Sequence, residues 1–234
     1  MVKEELIRRS PVRIFMDSIN GGLKPGELGV IASASGIGKT SVLVQIAMDK
    51  LLQDKKVIHI SFTQHTDYVL TWYEDIFNEF VKTKNLENEQ DVKNEAVKNR
   101  VLMKFTQGAI SSEQILRSLR ALIKDGGFAA DAIIIDGYDF YLPDEGHLAA
   151  ILGFAAEMGV SVWYSCTVKG KEPFYDKRNI PIVLSNCVEQ FAVIIVLDPK
   201  SEYIAFTVSK DRSVYNPENM ALKLDPKTLM ILEN

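Results

Sequence analysis

Short, continuously apolar segments constrain the fold of this chain more than any other feature of its sequence. The two clearest are residues 132–135 and 193–196, in which every side chain is apolar. A strand that is apolar at every position is typical of a parallel sheet whose two faces are both covered by helices. Six short segments are predicted to be such strands: residues 27–33, 56–62, 100–105, 131–136, 160–166 and 191–197.

Amphipathic stretches lie between these segments, and four of them have the apolar spacing that a helix requires. They cover residues 40–54, 66–81, 111–125 and 147–158. Because strands and helices alternate, and because such crossovers are right-handed, we expect an α/β fold with a mainly parallel central sheet flanked by helices.

The pattern changes after residue 191, where short strand-like segments follow one another without helices between them. These segments, residues 202–208, 221–224 and 229–232, predict a C-terminal antiparallel meander. Residues 82–100 are polar and are predicted to form a solvated helix end and loop, with an interaction site as the alternative. We expect one domain over residues 1–234, with residues 1–20 as a lead-in segment.

Composition and charge exclude several classes of protein. Of the 234 residues, 47% are hydrophobic and 25% are charged, which are globular proportions and exclude a disordered or fibrous chain. Neither a transmembrane stretch nor an apolar signal core is present, so we expect a cytoplasmic protein with no membrane partner. Two cysteines and three scattered histidines predict neither a disulfide framework nor a metal site built from these residues.

A glycine-rich segment joins the first predicted strand to the first long helix. It runs Ser-Ala-Ser-Gly-Ile-Gly-Lys-Thr-Ser over residues 33–41. The strand before it and the helix after it are the context of a phosphate loop, in which backbone N–H groups and the helix N-terminus face an anion. The alternative is a glycine-rich turn with a chance Gly-Lys-Thr. The residues predicted to bind nucleotide are Ser35, Gly36, Ile37, Gly38, Lys39, Thr40 and Ser41.

Each side chain of this segment has a chemical role in that interpretation. Lys39 would neutralise the β- and γ-phosphates, Thr40 would coordinate Mg²⁺, and Ser41 would reach an α-phosphate oxygen. The usual motif begins with glycine, but this chain has Ser33 there, a position that a small residue can fill.

Asp136 ends the apolar segment 131–136 and is the second predicted metal residue. A carboxylate at the carboxyl end of a buried strand can hold the water shell of Mg²⁺, as in a Walker B element. The signal is weak alone, because strands often end in aspartate before a turn, but the glycine-rich segment strengthens it. We therefore predict a Mg²⁺ site at Thr40 and Asp136, and a turn or capping role for Asp139.

The residues before the loop carry a resemblance to a known family. Residues 20–31 read Asn-Gly-Gly-Leu-Lys-Pro-Gly-Glu-Leu-Gly-Val-Ile and lead into Gly36-Ile37-Gly38-Lys39-Thr40. The combination resembles the RecA-like P-loop ATPases and is most similar to the DnaB-type replicative helicase core and the KaiC-like group. The order of the later segments is similar too, so the resemblance covers nearly the whole chain. It implies a RecA-like fold, ATP or ADP with Mg²⁺ as cofactors, and a homo-oligomer such as a hexamer.

The same resemblance implies roles for two basic residues near the C-terminus. Lys210 and Arg212 stand where the family has a K-x-R pair that enters the site of a neighbouring subunit. They would be catalytic residues beside Lys39 and Asp136, because a trans arginine at the γ-phosphate accelerates hydrolysis by about 10³- to 10⁵-fold. The alternative is an ordinary basic turn after a strand.

Two departures from the family bear on catalysis. Thr63 occupies the position of the glutamate that activates water, and Thr167 lies near that of a glutamine that senses the γ-phosphate. Loss of a general base costs about 10²- to 10⁴-fold in rate. We expect retained ATP binding with weak or lost hydrolysis, in support of DNA replication or recombination or as a nucleotide-dependent assembly module. The alternatives are an active DNA-dependent ATPase or minimal DnaB-like helicase, and a small-molecule kinase, against which the segment before the loop argues.

Residues 169–179 combine four basic residues with two adjacent aromatics, Phe174 and Tyr175. In RecA-like proteins the loop at this place faces a central pore, and cations with aromatic faces suit single-stranded DNA. The alternative is a solvated loop whose aromatics fold back onto the domain.

Overall fold

The computed structural model describes Ile7 and residues 10–63, 65–84, 89–142, 146–170, 174–217 and 222–233. Ten strands form one sheet: β1 (Leu28–Ser33), β2 (Val57–Ser61), β3 (Arg100–Lys104), β4 (Ala132–Asp136), β5 (Ser161–Thr167), β6 (Val193–Pro199), β7 (Ile204–Asp211), β8 (Val214–Tyr215), β9 (Leu222–Leu224) and β10 (Ile231–Glu233). The helices are α1 (Pro11–Ser18), α2 (Lys39–Leu52), α3 (Thr66–Lys84), α4 (Glu89–Lys98), α5 (Ser112–Arg120), which a π-helical turn (Ala121–Asp125) continues, and α6 (His147–Met158). Every predicted strand and helix is present, with ends within about three residues of the prediction.

The sheet has two parts that differ in strand direction. Its order is β10-β9-β7-β6-β1-β5-β4-β2-β3, with β8 paired to β7. Strands β1 to β6 are parallel to one another, whereas β7 pairs with β6 in antiparallel fashion, and the pairs among β7 to β10 are antiparallel too. The predicted α/β class, with a mainly parallel sheet and a C-terminal antiparallel meander, is therefore confirmed.

Both faces of the inner parallel strands β1, β2, β4 and β5 are buried, as the continuous apolar segments predict, whereas the edge strand β3 is half-buried. Successive side chains of a strand point to opposite faces. In β4, Ile134 accordingly joins one core, with α1 to α4, and Ile133 and Ile135 join the other, with α5 and α6. Because α2 begins a few residues after the carboxyl end of β1, its amino end lies at the carboxyl edge of the parallel strands.

Two helices lie where the sequence predicted none. Residues 82–100 were expected to be a helix end and loop, but residues 89–98 form α4, and that part of the prediction is wrong. Val92 and Ala96, four residues apart, are buried against the core, so one narrow apolar stripe holds an otherwise polar helix. In the lead-in segment, α1 begins after Ser10, whose hydroxyl accepts a hydrogen bond from the N–H of Val12.

In the described part of the chain, no helix is both long enough and apolar enough to cross a bilayer.

A substitution at Gly29 tests the packing of β1. A Cβ atom there would lie 2.6 Å from Cζ3 of Trp163 and 2.9 Å from Cδ1 of Leu23, and Trp163 is fully buried. Gly29→Ala should lower the free energy of unfolding by about 1–3 kcal/mol in urea denaturation. The matched control is Gly153→Ala, an open helical position, which should gain about 0.5–1 kcal/mol. Equal stability of both variants would contradict the packing.

The fully buried His59 gives the fold a specific pH dependence. Its Nδ1 lies 3.1 Å from the Tyr73 hydroxyl, its Nε2 has no hydrogen-bond partner among the described residues, and burial lowers its pKa from 6.5 to about 4. Between these values the unfolded chain binds a proton that the folded chain does not. The free energy of unfolding should therefore fall by up to about 3 kcal/mol as pH drops through this window.

His59→Leu should remove this contribution. In denaturant titrations, the stability difference between wild type and variant should stay constant above pH 7 and change between pH 6.5 and 4. A constant difference over the whole range would show that His59 is not held neutral.

Candidate functional site

The carboxyl ends of the parallel strands meet at one edge of the sheet, where a cavity of about 460 Å³ opens. The end of β4, Thr63 in the segment that follows β2, and the start of α2 all contribute to it. Ligands of open α/β sheets bind at this kind of edge. The cavity is lined by Ser35, Gly36, Gly38, Lys39, Thr40, Ser41, Thr63, Trp72, Asp136, Gly137, Tyr138, Asp139, Ser165, Thr167, Lys169 and Leu229.

The turn from β1 into α2 depends on two glycines. Gly36 and Gly38 have φ angles of 79° and 107°, in the left-handed region that side chains rarely adopt. At Gly38 a Cβ would also lie 2.6 Å from Cδ2 of Leu224. The helix then begins at Lys39 with no acidic residue in its first turn and no side-chain cap, so its amino end presents uncompensated partial positive charge to the cavity.

Lys39 brings a full positive charge to the same place. Its side chain is buried, and its Nζ donates to the carbonyl oxygens of Ser33 at 3.2 Å and Ala34 at 2.6 Å, and to the Ser33 hydroxyl at 3.3 Å. Burial lowers the pKa of Lys39, while Cys166 and Asp136 act in the opposite direction. An anion in the cavity would favour the charged ammonium, because nearby opposite charge offsets the cost of burial.

Asp136 and Thr40 are hydrogen-bonded to each other. The Thr40 hydroxyl donates to Oδ2 of Asp136 at 2.8 Å, and the Ser165 hydroxyl donates to Oδ1 at 2.6 Å. Ser165 Oγ in turn accepts from the N–H of Gly137 at 2.8 Å. The predicted metal residues thus lie together and offer the hard oxygen donors that Mg²⁺ prefers, usually with water completing the shell. This pair is not a carboxylate cluster: nowhere in the described ranges do three or more His, Cys, Asp or Glu side chains form a group that could hold a metal.

Ser41 is linked to the C-terminal meander. Its hydroxyl donates to the carbonyl oxygen of Leu229 at 2.7 Å, and Nε2 of Gln45 donates to the same oxygen at 2.8 Å. Leu229 has a φ of 56°, a strained value for a leucine, and its side chain lies near Gly38. The turn between β9 and β10 therefore forms one wall of the cavity, and a phosphate oxygen that engaged Ser41 would have to replace the Leu229 carbonyl.

Thr63 and Thr167 both line the cavity, as the sequence predicted for the two replaced catalytic positions. Thr63 lies two residues beyond the end of β2, and its side chain is so close to Gly137 that a Cβ on Gly137 would be 2.4 Å from Thr63 Oγ1. Neither hydroxyl can serve as a carboxylate base at neutral pH. Gln64, the next residue, lies outside the described ranges.

The structure brings most of the predicted residues together, and it adds others. Of the seven predicted loop residues, six line the cavity, whereas the side chain of Ile37 packs against the core. Asp139 has the predicted turn role, since its Oδ1 accepts from the N–H of Tyr141, but it also pairs with Lys169. Sequence reasoning assigned no role in this site to six other cavity residues: Trp72, Gly137, Tyr138, Ser165, Lys169 and Leu229.

Lys210 and Arg212 lie at the opposite edge of the sheet, beside the start of β1 and β6. The buried Nζ of Lys210 donates to the carbonyl oxygens of Val188 and Phe191, both at 2.8 Å. These residues cannot reach the cavity of their own chain. Their predicted action across a subunit interface stays a prediction, and it would require both side chains to leave intrachain partners.

Arg212 is hydrogen-bonded to the segment that carries the family resemblance. Its guanidinium donates to both carboxylate oxygens of Glu27 at 3.1 and 2.9 Å and to the carbonyl oxygens of Ile19 and Gly22 at 3.3 and 3.0 Å. In this chain the residue therefore links the end of β7 to the turn that leads into β1.

The described part of residues 169–179 folds back onto the domain. Phe174 and Tyr175 pack against the core, and burial raises the pKa of Tyr175. Asp176 accepts from the N–H groups of Arg178 and Ile180 and closes the turn. This arrangement is the alternative to DNA contact, and stacking of bases on these rings would require the loop to move. Residues 171–173 lie outside the described ranges.

Comparison with known proteins adds no relative from which a function could be transferred. No family model matches the chain, and no curated protein is significantly similar to it. The functional argument therefore depends on the geometry of the cavity.

Proposed function

We propose that this chain is a RecA-like P-loop protein that binds a nucleoside triphosphate with Mg²⁺ and hydrolyses it slowly or not at all. The proposal rests on one observation. Lys39, Thr40 and Asp136 lie together at the amino end of α2, in a cavity that Thr63 also lines. The first three residues supply what a triphosphate and its metal require, and Thr63 lacks the carboxylate that hydrolysis requires.

The binding roles follow from the contacts of each group. The Lys39 ammonium would exchange its carbonyl partners for phosphate oxygens, and the first-turn N–H groups of α2 would donate to the same anion. Thr40 and Asp136 would hold Mg²⁺, with Ser165 orienting the carboxylate through its bond to Oδ1. The metal would neutralise charge on the phosphates.

The two threonines that line the cavity, Thr63 and Thr167, are the reason to expect slow hydrolysis. With threonine at positions 63 and 167, no carboxylate or amide there can take a proton from water or position it against the γ-phosphate. Binding without hydrolysis can still stabilise one conformation of the protein. A ligand at one hundred times its dissociation constant stabilises the bound conformation by about 2.7 kcal/mol. We therefore favour a nucleotide-dependent assembly module over a helicase motor.

Calorimetry with Mg-ATP tests the central claim. Lys39→Ala should weaken binding at least about tenfold, because it removes a charged hydrogen-bond donor from a buried anion site. The matched control is Lys82→Ala, on the exposed surface of α3, which should bind as wild type does. Removal of Mg²⁺ with EDTA should weaken binding by wild type. Equal affinity of Lys39→Ala and wild type would contradict the proposal.

Thr63→Glu tests why hydrolysis is slow. A carboxylate at this place should raise phosphate release, measured with malachite green, by about 10²-fold or more. Thr71→Glu adds the same charge on the nearby surface of α3 and should not accelerate release, and Thr63→Glu combined with Lys39→Ala should be inactive. Wild-type turnover above about 1 s⁻¹, an ordinary enzyme rate, would show that another residue activates water.

A further inference from the structure

The ammonium of Lys39 already has a complete set of partners within the loop. A lysine Nζ carries three N–H donors and no acceptor. The three acceptors within reach are the Ser33 carbonyl at 3.2 Å, the Ser33 hydroxyl at 3.3 Å and the Ala34 carbonyl at 2.6 Å. Two of these three belong to Ser33, which is the residue that replaces the usual first glycine of the motif.

The Ser33 hydroxyl is held in an orientation that makes it an acceptor. Its own hydrogen is donated to the Ala34 carbonyl at 3.0 Å, so a lone pair is left for the ammonium. The Ser33 carbonyl also accepts from the N–H of Val168 at 2.9 Å, which ties this end of β1 to the residue after β5. Ser33 is completely buried, so water does not compete for these bonds.

We propose that Ser33 is a positioning residue that holds Lys39 against the loop in the nucleotide-free protein and so weakens the affinity for nucleoside triphosphate. This inference rests on the proposed function. A phosphate that binds the ammonium must displace at least one of its three contacts, and the hydroxyl adds one contact that a glycine cannot make. Ser33 thus opposes binding through Lys39, without touching the nucleotide.

The first test compares Mg-ATP affinities by calorimetry. Ser33→Ala removes the hydroxyl and should tighten binding about three- to tenfold, the range expected for one long hydrogen bond to a charged group. Ser161→Ala is the matched control: Ser161 is also buried in a strand, at the far end of β5, and its loss should leave the affinity unchanged. If Ser33→Ala does not fold, Ser33→Gly provides the same comparison.

The second test separates a positioning role from a purely structural one. In denaturant titrations without nucleotide, Ser33→Ala should raise the unfolding equilibrium constant about three- to tenfold more when Lys39 is present than in a Lys39→Met background. A structural role of the hydroxyl alone would give the same increase in both backgrounds and would overturn the inference.

The outcomes distinguish the inference from the proposed function. If neither wild type nor Ser33→Ala binds Mg-ATP, the proposed function fails and the inference fails with it. If wild type binds in a Lys39-dependent manner but Ser33→Ala binds equally or more weakly, only the inference is overturned. Tighter binding by Ser33→Ala, together with coupling to Lys39, supports both.

Discussion

The hydrogen bond from Thr40 to Asp136 joins the two halves of the site across the intervening strand β5, which lies between β1 and β4. The loop after β1 and the carboxylate at the end of β4 come from segments about a hundred residues apart in the chain. Ser165, near the end of the intervening strand, donates to the free carboxylate oxygen and accepts from the next backbone amide. Strand order thus determines which side chains can share a metal, and helices on both faces keep that order fixed.

The buried ammonium of Lys39 is the group of this site that costs most free energy to bury. Burial disfavours the charge on Lys39, and the nearby Asp136 accepts from hydroxyls rather than from the ammonium. The loop therefore supplies carbonyl and hydroxyl oxygens that keep the ammonium solvated without a counter-ion. Under the proposed function, such a site is stable when empty and still attracts an anion, because oxygen dipoles compensate the charge only in part. One lysine would then contact the loop in the empty protein and the phosphates in the bound one.

The amino-acid pattern predicted the strands and the glycine loop because both depend on local chemistry. Continuous apolar segments reflect burial on two faces, and Gly36 and Gly38 reflect backbone angles that other residues avoid. Helix α4 escaped prediction because only Val92 and Ala96 bury apolar surface. Leu229 escaped because its place in the cavity depends on how the meander folds back over α2, which no local pattern encodes. The contacts of Arg212 escaped prediction because the carbonyl oxygens to which it donates belong to residues about 190 positions away in the chain.

The contact between Ser41 and Leu229 shows how the meander can serve the site without a catalytic group. Gln45 donates to the Leu229 carbonyl and accepts, through Oε1, from the N–H of Ile231 at 2.9 Å, so α2 holds the turn at two points. If a phosphate takes the Ser41 hydroxyl, the bonds of Gln45 remain and keep the turn in place. The strained backbone of Leu229 is then retained by the bonds of Gln45 and by packing of the Leu229 side chain against the core, rather than by Ser41. The cavity wall can therefore stay formed while the hydroxyl changes partner, which is what a preorganised site for an anion requires.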